Sequence, residues 1–256
     1  MGAVTADSTP ASYDAYAETT ADPRFTDWLR ERSEPAWTDA ITHRFTRELG
    51  AGTLDEDVYA TYLVQDYAFL EALVGTFGFA VGQAPEIEAK RPLIEFLETI
   101  TGEENDYFRR SFDALDVPDG RWSDPDRSPT AAALVDLLGR AAREGGYAET
   151  LAVLVPAEWI YREWATAVAT EYGDPDTEPP SDGADLPFYY AEWIDLHAVG
   201  SFVAFVDELR DQLDAIGAEC SPRRQRRVEE LFRRTVDLEV AFFEECYESA
   251  EGDDRR

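Results

Sequence analysis

The sequence predicts an all-α protein, organised as a single multi-helix bundle. Three observations carry that expectation. Apolar residues recur at spacings of three and four over several helical turns, which keeps them on one helix face. No run alternates apolar and polar residues between turn signals, as a half-buried strand would. Glycines and prolines gather between the periodic stretches and are sparse inside them.

Residues 1–20 are small, polar and acidic and read as a mobile acidic tail. A helix is expected from Asp22-Pro23-Arg24 through Trp28, Trp37, Ile41 and Phe45, interrupted at Pro35 and stopped by Gly50 and Gly52. Leu54-Asp55 opens a second helix that runs to about Val81, with a turn from Gly82 to Pro85. The third covers about 86–115, its inner side marked by Ile87, Phe96, Ile100, Tyr107 and Phe108. A loop follows to Pro129, where Ser128-Pro129 is a helix-start signal. The fourth helix spans about 130–144, and Gly145-Gly146 separates it from a fifth over 147–172. Residues 174–187 read as a solvated loop, 188–216 as a sixth helix, 221–249 as a seventh and 251–256 as a polar tail. No boundary divides 21–250, which is expected to form one helical domain.

The chain has 256 residues, of which 44% are hydrophobic, enough for a substantial core. Its charge is the extreme feature: 54 Asp and Glu against 23 Lys and Arg give a net charge of -31, and Lys90 is the only lysine. Such a surface repels nucleic acid phosphates. Self-repulsion of this size is relieved by salt, so a salt-rich cytoplasm is the expected setting. No window is apolar enough to cross a membrane, and residues 1–13 lack a charged-then-apolar signal pattern. Cys220 and Cys246 are too few for a disulfide framework and have no metal-ligand spacing. No metal or cofactor is expected.

Three carboxylates stand where leucines belong. One stripe reads Tyr59, Leu63, Asp66, Leu70, Leu73, Phe77; another Tyr147, Leu151, Leu154, Glu158, Tyr161, Ala165, Val168; a third Val228, Phe232, Thr235, Glu239, Phe242, Cys246. A buried carboxylate is costly unless it has a partner, a ligand or a raised pKa. Three acids aimed into one helical core therefore suggest a polar pocket. The structural alternatives are a buried arginine or tyrosine hydroxyl for Asp66 and a surface pair with Arg162 for Glu158.

The stretch from Leu54 to Phe77 resembles the signature helix of the TenA, or thiaminase II-like, family: Gly52-Thr53-Leu54, then Tyr59, then Tyr62-Leu63-Val64-Gln65-Asp66-Tyr67. Trp37, His43 and Phe45 match the approach to that motif, Trp193-Ile194 resembles the family's Trp-Ile element, and Glu239-Val240-Ala241-Phe242-Phe243 its C-terminal Glu-x-x-Phe-Trp. The resemblance implies a heme-oxygenase-like fold, a homo-oligomer (usually a tetramer), and hydrolysis of a thiamine-derived aminopyrimidine in salvage. Carried over by position, Asp66 and Glu239 would grip the pyrimidine. Phe69 would stack on the ring, Tyr161 would supply a hydroxyl and Phe242 a wall. Two positions depart from the pattern. Ala157 stands where the main branch has its nucleophilic cysteine, so the chain resembles the branch that uses a glutamate instead, with Glu158 as its counterpart. His197 replaces a tyrosine beyond the Trp-Ile element.

The chemistry asked of the acids follows from the ligand. An aminopyrimidine edge offers a ring nitrogen acceptor beside an exocyclic amine donor, which a carboxyl group complements. Glu239 is assigned to protonate the ring nitrogen and Asp66 to accept from the amine. Glu158 activates water or, less simply, attacks directly. The competing functions are a non-catalytic ligand-binding or regulatory protein, a di-iron carboxylate protein and a heme protein with His43 as axial ligand. The di-iron reading is short of nitrogen ligands, since only His43 and His197 exist, although Glu103 and Glu104 could add oxygens.

Overall fold

Helix α10, Tyr147–Gly173, is the axis around which the other elements pack. Every residue from Tyr147 to Tyr161 is buried, so this helix has no solvent face over its first four turns. The computed structural model describes residues 9–173 and 186–253, and the described elements are all helical. They are α1 (Tyr13–Thr19), α2 (Phe25–Arg32), α3 (Ala36–Ile41), α4 (Arg44–Gly50), α5 (Glu56–Gln83), α6 (Ile87–Thr99), a π-helical turn π1 (Ile100–Glu104), α7 (Asn105–Ala114), α8 (Asp119–Trp122), α9 (Pro129–Glu144), α10, α11 (Phe188–Ala198), α12 (Gly200–Ala218) and α13 (Pro222–Asp253). Around α10 stand α13, α12, α11, α9 and α5, and α5 also packs on α9, α6 and α13. Buried side chains form one hydrophobic cluster reaching from Tyr16 to Tyr247.

The ends of the long helices carry the caps their sequences promise. The Asp55 carboxylate accepts from the Asp57 N–H at the start of α5, and the Ser128 hydroxyl accepts from the Ala131 N–H at the start of α9, with Pro129 at the first helical position. The single lysine serves a helix end too: Lys90 Nζ donates to the carbonyls of Val81 and Ala84, the last acceptors of α5. The buried Glu149 carboxylate receives the Gly146 N–H at 3.0 Å and both arms of Arg224 at 2.9 and 2.7 Å, which ties α13 to the start of α10. Gly52 and Gly217 are required by geometry. Gly52 has φ +67, a left-handed turn after α4. A Cβ on Gly217 would fall 2.2 Å from the Phe25 ring, so only glycine lets α12 lie this close to α2.

Four expectations are corrected. The segment expected as a mobile tail contains α1: Tyr16 is buried, its hydroxyl donates to Glu31, Tyr13 donates to the Pro23 carbonyl, and the Tyr13 ring meets Phe25 edge-on at 5.1 Å. Two aromatics three residues apart anchor a stretch whose average composition is polar. Residues 1–8, residues 174–185 of the expected solvated loop and residues 254–256 of the expected polar tail lie outside the described residues. The first expected helix is three, because His43 caps a new one by accepting from the Phe45 N–H at 3.2 Å as well as the break at Pro35. Ile87 is not on an inner side; it is 72% exposed. The expected helix over 188–216 breaks at Val199, which is extended, and the following Gly200 makes this an inexpensive place to interrupt a helix.

Candidate active site

The three stripe-breaking acids meet. Asp66 from α5, Glu158 from α10 and Glu239 from α13 line one interior cavity, together with Phe69, Tyr161, His197 and Phe242, so all seven site residues expected from sequence are brought together. The cavity holds about 490 Å³ of atom-free space. Only about 40 Å³ of it admits the centre of a water molecule. With a water radius added, that corresponds to a ball roughly 7 Å across, the size of one substituted six-membered ring. Ala157 lines the same cavity beside Glu158.

A fourth acid was not expected there. Glu104, the last residue of π1, also lines the cavity. It sits four residues after Ile100 and three before Tyr107, both fully buried, which is the same acid-in-a-stripe spacing that marked the other three. Leu73, Phe96, Ile100, Leu134 and Trp193 complete the wall. Behind Trp193 lies a rigid aromatic layer. Tyr107 stacks on it at 5.0 Å and 19°, and Tyr59 and Tyr107 both donate to the Tyr189 carbonyl, at 2.9 and 2.7 Å. On the other side, the hydroxyls of Tyr62 and Tyr161 hydrogen-bond to each other at 2.9 Å.

The electrostatics are those of acids without counterions. Burial pushes Asp66 up to about 7, opposed by hydrogen bonding from Tyr62. Burial, then the charge of Asp66, raises Glu104 and Glu239 to about 8 each. Glu158 is also raised well above its ordinary value, by burial first and then by Glu104, Glu239 and Asp66. No basic group contributes to any of the four shifts. The buried-arginine alternative for Asp66 therefore fails. So does the Arg162 pair for Glu158, since Arg162 bonds to Asp207 and Glu163 instead. Burial, with the added repulsion of Asp66 on Glu104, Glu239 and Glu158, makes it costly for all four carboxyls to ionise near neutral pH. Asp66 and Glu104 keep some accessible surface, which the cavity accounts for, whereas Glu158 and Glu239 are 6% and 3% exposed.

His197 is the neutral member. Burial lowers it to about 4 against the opposing bond to the Trp193 carbonyl, 2.8 Å from Nδ1. A carbonyl only accepts, so Nδ1 carries the hydrogen and Nε2 is left as an acceptor. His43, the axial ligand of the heme alternative, lies outside the cavity lining: Nδ1 accepts from Phe45 and Nε2 is 3.2 Å from Glu244. Among the described residues, no group of three or more His, Cys, Asp or Glu side chains is arranged to hold a metal ion. No described helix is long and apolar enough to cross a membrane.

The pattern of the TENA/THI-4/PQQC family matches residues 30–249, which is most of the chain and includes every cavity residue named above. The chain belongs to this family. A family relative, an aminopyrimidine aminohydrolase of Halalkalibacterium halodurans, is 24% identical over 219 residues, covering 86% of this chain and 93% of its own. The structure of a TenA homologue from Pyrococcus furiosus superposes with a TM-score of 0.75 at 20% identity, over 87% of this chain and 100% of that one. A domain with a heme oxygenase-like fold from Shewanella denitrificans matches with a TM-score of 0.65 at 12% identity, over 90% of this chain and 95% of that one. The fold is therefore the heme oxygenase-like helical bundle of the TenA family.

Proposed function

We propose that this protein is a hydrolase of thiamine-derived aminopyrimidines, acting on an aminomethyl group or on its formylated amide in salvage. The observation that carries this reading is a ring-sized cavity in which four inward carboxyls, none with a basic partner, face aromatic walls. Acids held in this state bind a ligand that supplies the missing positive charge or the missing hydrogen-bond donors. An aminopyrimidine supplies both along one edge. The names of curated relatives point the same way.

In this reading the ring lies against Phe69, Tyr161 and Phe242, which exclude water from its faces. Asp66 accepts from the exocyclic amine while Glu239, protonated near neutral pH, donates to the ring nitrogen. Placing a proton on the ring draws electrons away from the aminomethyl carbon. Positive charge on the bound ring lowers the cost of ionising Glu158, which as a carboxylate takes a proton from water, and the hydroxide adds to the carbon attacked. For the amine, a C–O bond forms as the C–N bond breaks, and ammonia leaves with the proton. For the formamide, water adds to the formyl carbon and formate and the free amine result. Glu158 replaces the absent cysteine as base; Ala157 removes the thiol route. His197, neutral, contributes an acceptor.

The test is incubation of the purified protein with the aminomethylpyrimidine and its formylated form in high salt, following ammonia, formate and pyrimidine products. Turnover by the wild type, and its loss in Glu239→Gln with ring binding retained, is the expected result. Equal turnover by both proteins removes the proton-donor role, and binding without any turnover would favour a non-catalytic ligand-binding protein. The homo-oligomer expected from the family resemblance belongs to the same proposal. Ile87 and Ile94 on α6 and Phe79 on α5 are exposed apolar side chains that such an interface would cover. Sedimentation in molar salt decides it.

A further inference from the structure

The cavity adjoins a larger groove on the surface between α6–π1 and α11–α12, with about 1470 Å³ of atom-free space. Three residues, Phe96, Glu104 and His197, line both. They form a neck framed by aromatic rings. Phe96 stacks on Phe205 at 4.0 Å and 16°, and His197 meets the Phe202 ring edge-on at 5.0 Å. The groove's ionisable lining is one-sided: Glu88, Glu95, Glu103, Glu104 and Glu208 face Arg91 alone, and Arg91 is itself paired with Glu95 at 2.7 Å. Glu104 is the one acid common to groove and cavity. Its position comes from π1, a kind of turn found often at functional sites: Thr101, Gly102 and Glu103 are exposed, and the next residue faces inward.

We propose that this groove is the route by which a small cationic amine reaches the cavity, and that Glu104 at the neck binds the ligand's aminomethyl ammonium group. The proposal deepens the aminopyrimidine reading and rests on it, adding the substrate's charge class and its orientation. A negative groove raises the local concentration of cations and repels anions, so phosphate esters of the same pyrimidine are excluded before they reach the neck. With the ring edge held by Asp66 and Glu239 deep in the cavity, the ammonium arm points back to Glu104. Glu104 then discriminates the amine from the corresponding alcohol, which carries no charge for it to meet. The aromatic rings of the neck offer a cation a second favourable contact on the way in.

The experiment measures binding separately from turnover, with Glu158→Gln introduced into every protein compared so that the proposed hydrolysis does not consume the amine during the titration. Calorimetry with the aminomethylpyrimidine, its hydroxymethyl counterpart and the phosphate ester of the latter is run on wild type and Glu104→Gln, each checked for folding by its thermal melt. The wild type is expected to prefer the amine over the alcohol by about tenfold or more, the worth of one charge-assisted hydrogen bond, and not to take the ester. Glu104→Gln is expected to erase most of that preference while leaving alcohol affinity unchanged. Equal weakening of amine and alcohol, or weakening of neither, overturns the assignment of Glu104. For the route, Ser201→Cys, in the exposed groove wall, is modified with a bulky maleimide and compared with wild type treated identically. Association of the amine slows about tenfold if the groove is the way in, and an unchanged rate overturns the route. Benzylamine and benzyl alcohol separate this from the broader reading. If the protein ignores both pyrimidines yet prefers benzylamine in a Glu104-dependent way, the pyrimidine reading falls and the neck assignment stands.

Discussion

Replacing Glu239 with glutamine tests whether the cavity acids are held at a cost to the fold. Glu239 is 3% exposed, and burial followed by the Asp66 charge lifts it from 4.5 to about 8. The folded protein therefore binds this proton more tightly than the unfolded chain does. Between those two values the folded state keeps the proton while the unfolded state releases it, so the group's contribution to stability is full below 4.5 and is lost as pH rises toward about 8. The shift is worth at most about 5 kcal/mol at about 1.4 kcal/mol per tenfold change in proton affinity. Coupling to Asp66 and Glu158, which also compete for protons, reduces it, and about 2 kcal/mol is a working figure. Glutamine has nearly the same shape and never ionises. At pH 5 the variant and the wild type should melt together. By pH 9 the variant should be the more stable by roughly 4–8 °C for a chain of this size. The assay is thermal unfolding of both proteins at half-unit pH steps without ligand. A difference that does not change with pH, or a variant less stable at pH 9 than at pH 5 relative to wild type, refutes the argument. The same substitution is expected to abolish the proposed hydrolysis, and gain of stability with loss of activity is the mark of a carboxyl retained for chemistry.

Other perturbations address the rest of the molecule. Arg224→Ala leaves the buried Glu149 with backbone N–H donors alone; we expect a loss of about 2 kcal/mol in urea unfolding at neutral pH, discounted for the partial exposure of Arg224. Although burial alone would raise Glu149, the Arg224 and Gly146 hydrogen bonds hold it below its ordinary 4.5, so this difference should shrink as pH falls through that range. Gly217→Ala drives a methyl into Phe25 and should cost about 2 kcal/mol by the same assay. With a net charge of -31, the melting temperature should rise by several degrees between dilute buffer and molar KCl; a flat curve would remove the expectation of a salt-adapted protein.

Helical period alone made the long core elements legible. The stripes through Asp66, Glu158 and Glu239 were visible because each acid has apolar neighbours three and four residues away on both sides, and the cavity collects all three. Glu104 carries the same signal between Ile100 and Tyr107, yet three exposed residues precede it and Glu103 stands beside it, so it read only as a spare oxygen ligand. The π turn is the reason: an acid that faces inward directly after three outward positions does not advertise itself in a regular 3.6-residue pattern. Breaks within helices were harder than helices. Val199 and His43 interrupt continuous apolar patterns, one by its extended backbone and one by capping a new helix, and periodicity alone does not register such breaks. Tyr13 and Tyr16 were hidden by the acidic, small-residue stretch around them, although two aromatics at that spacing are an anchor.

The placement of the acids explains how the fold tolerates them. Each of the four comes from a different element, α5, π1, α10 and α13, and each of those elements is secured by contacts away from the cavity: Lys90 at the end of α5, the Tyr67–Asn105 bond beside π1, the Glu149–Arg224 pair joining α10 to α13. Moving these helices apart would disturb the packing that those contacts fix. Keeping protons or taking in positive charge relieves the repulsion without such movement. On the proposed reading, that constraint makes the cavity a receptor for protonatable rings before any step of chemistry and gives Glu239 a proton to deliver once a ring is bound.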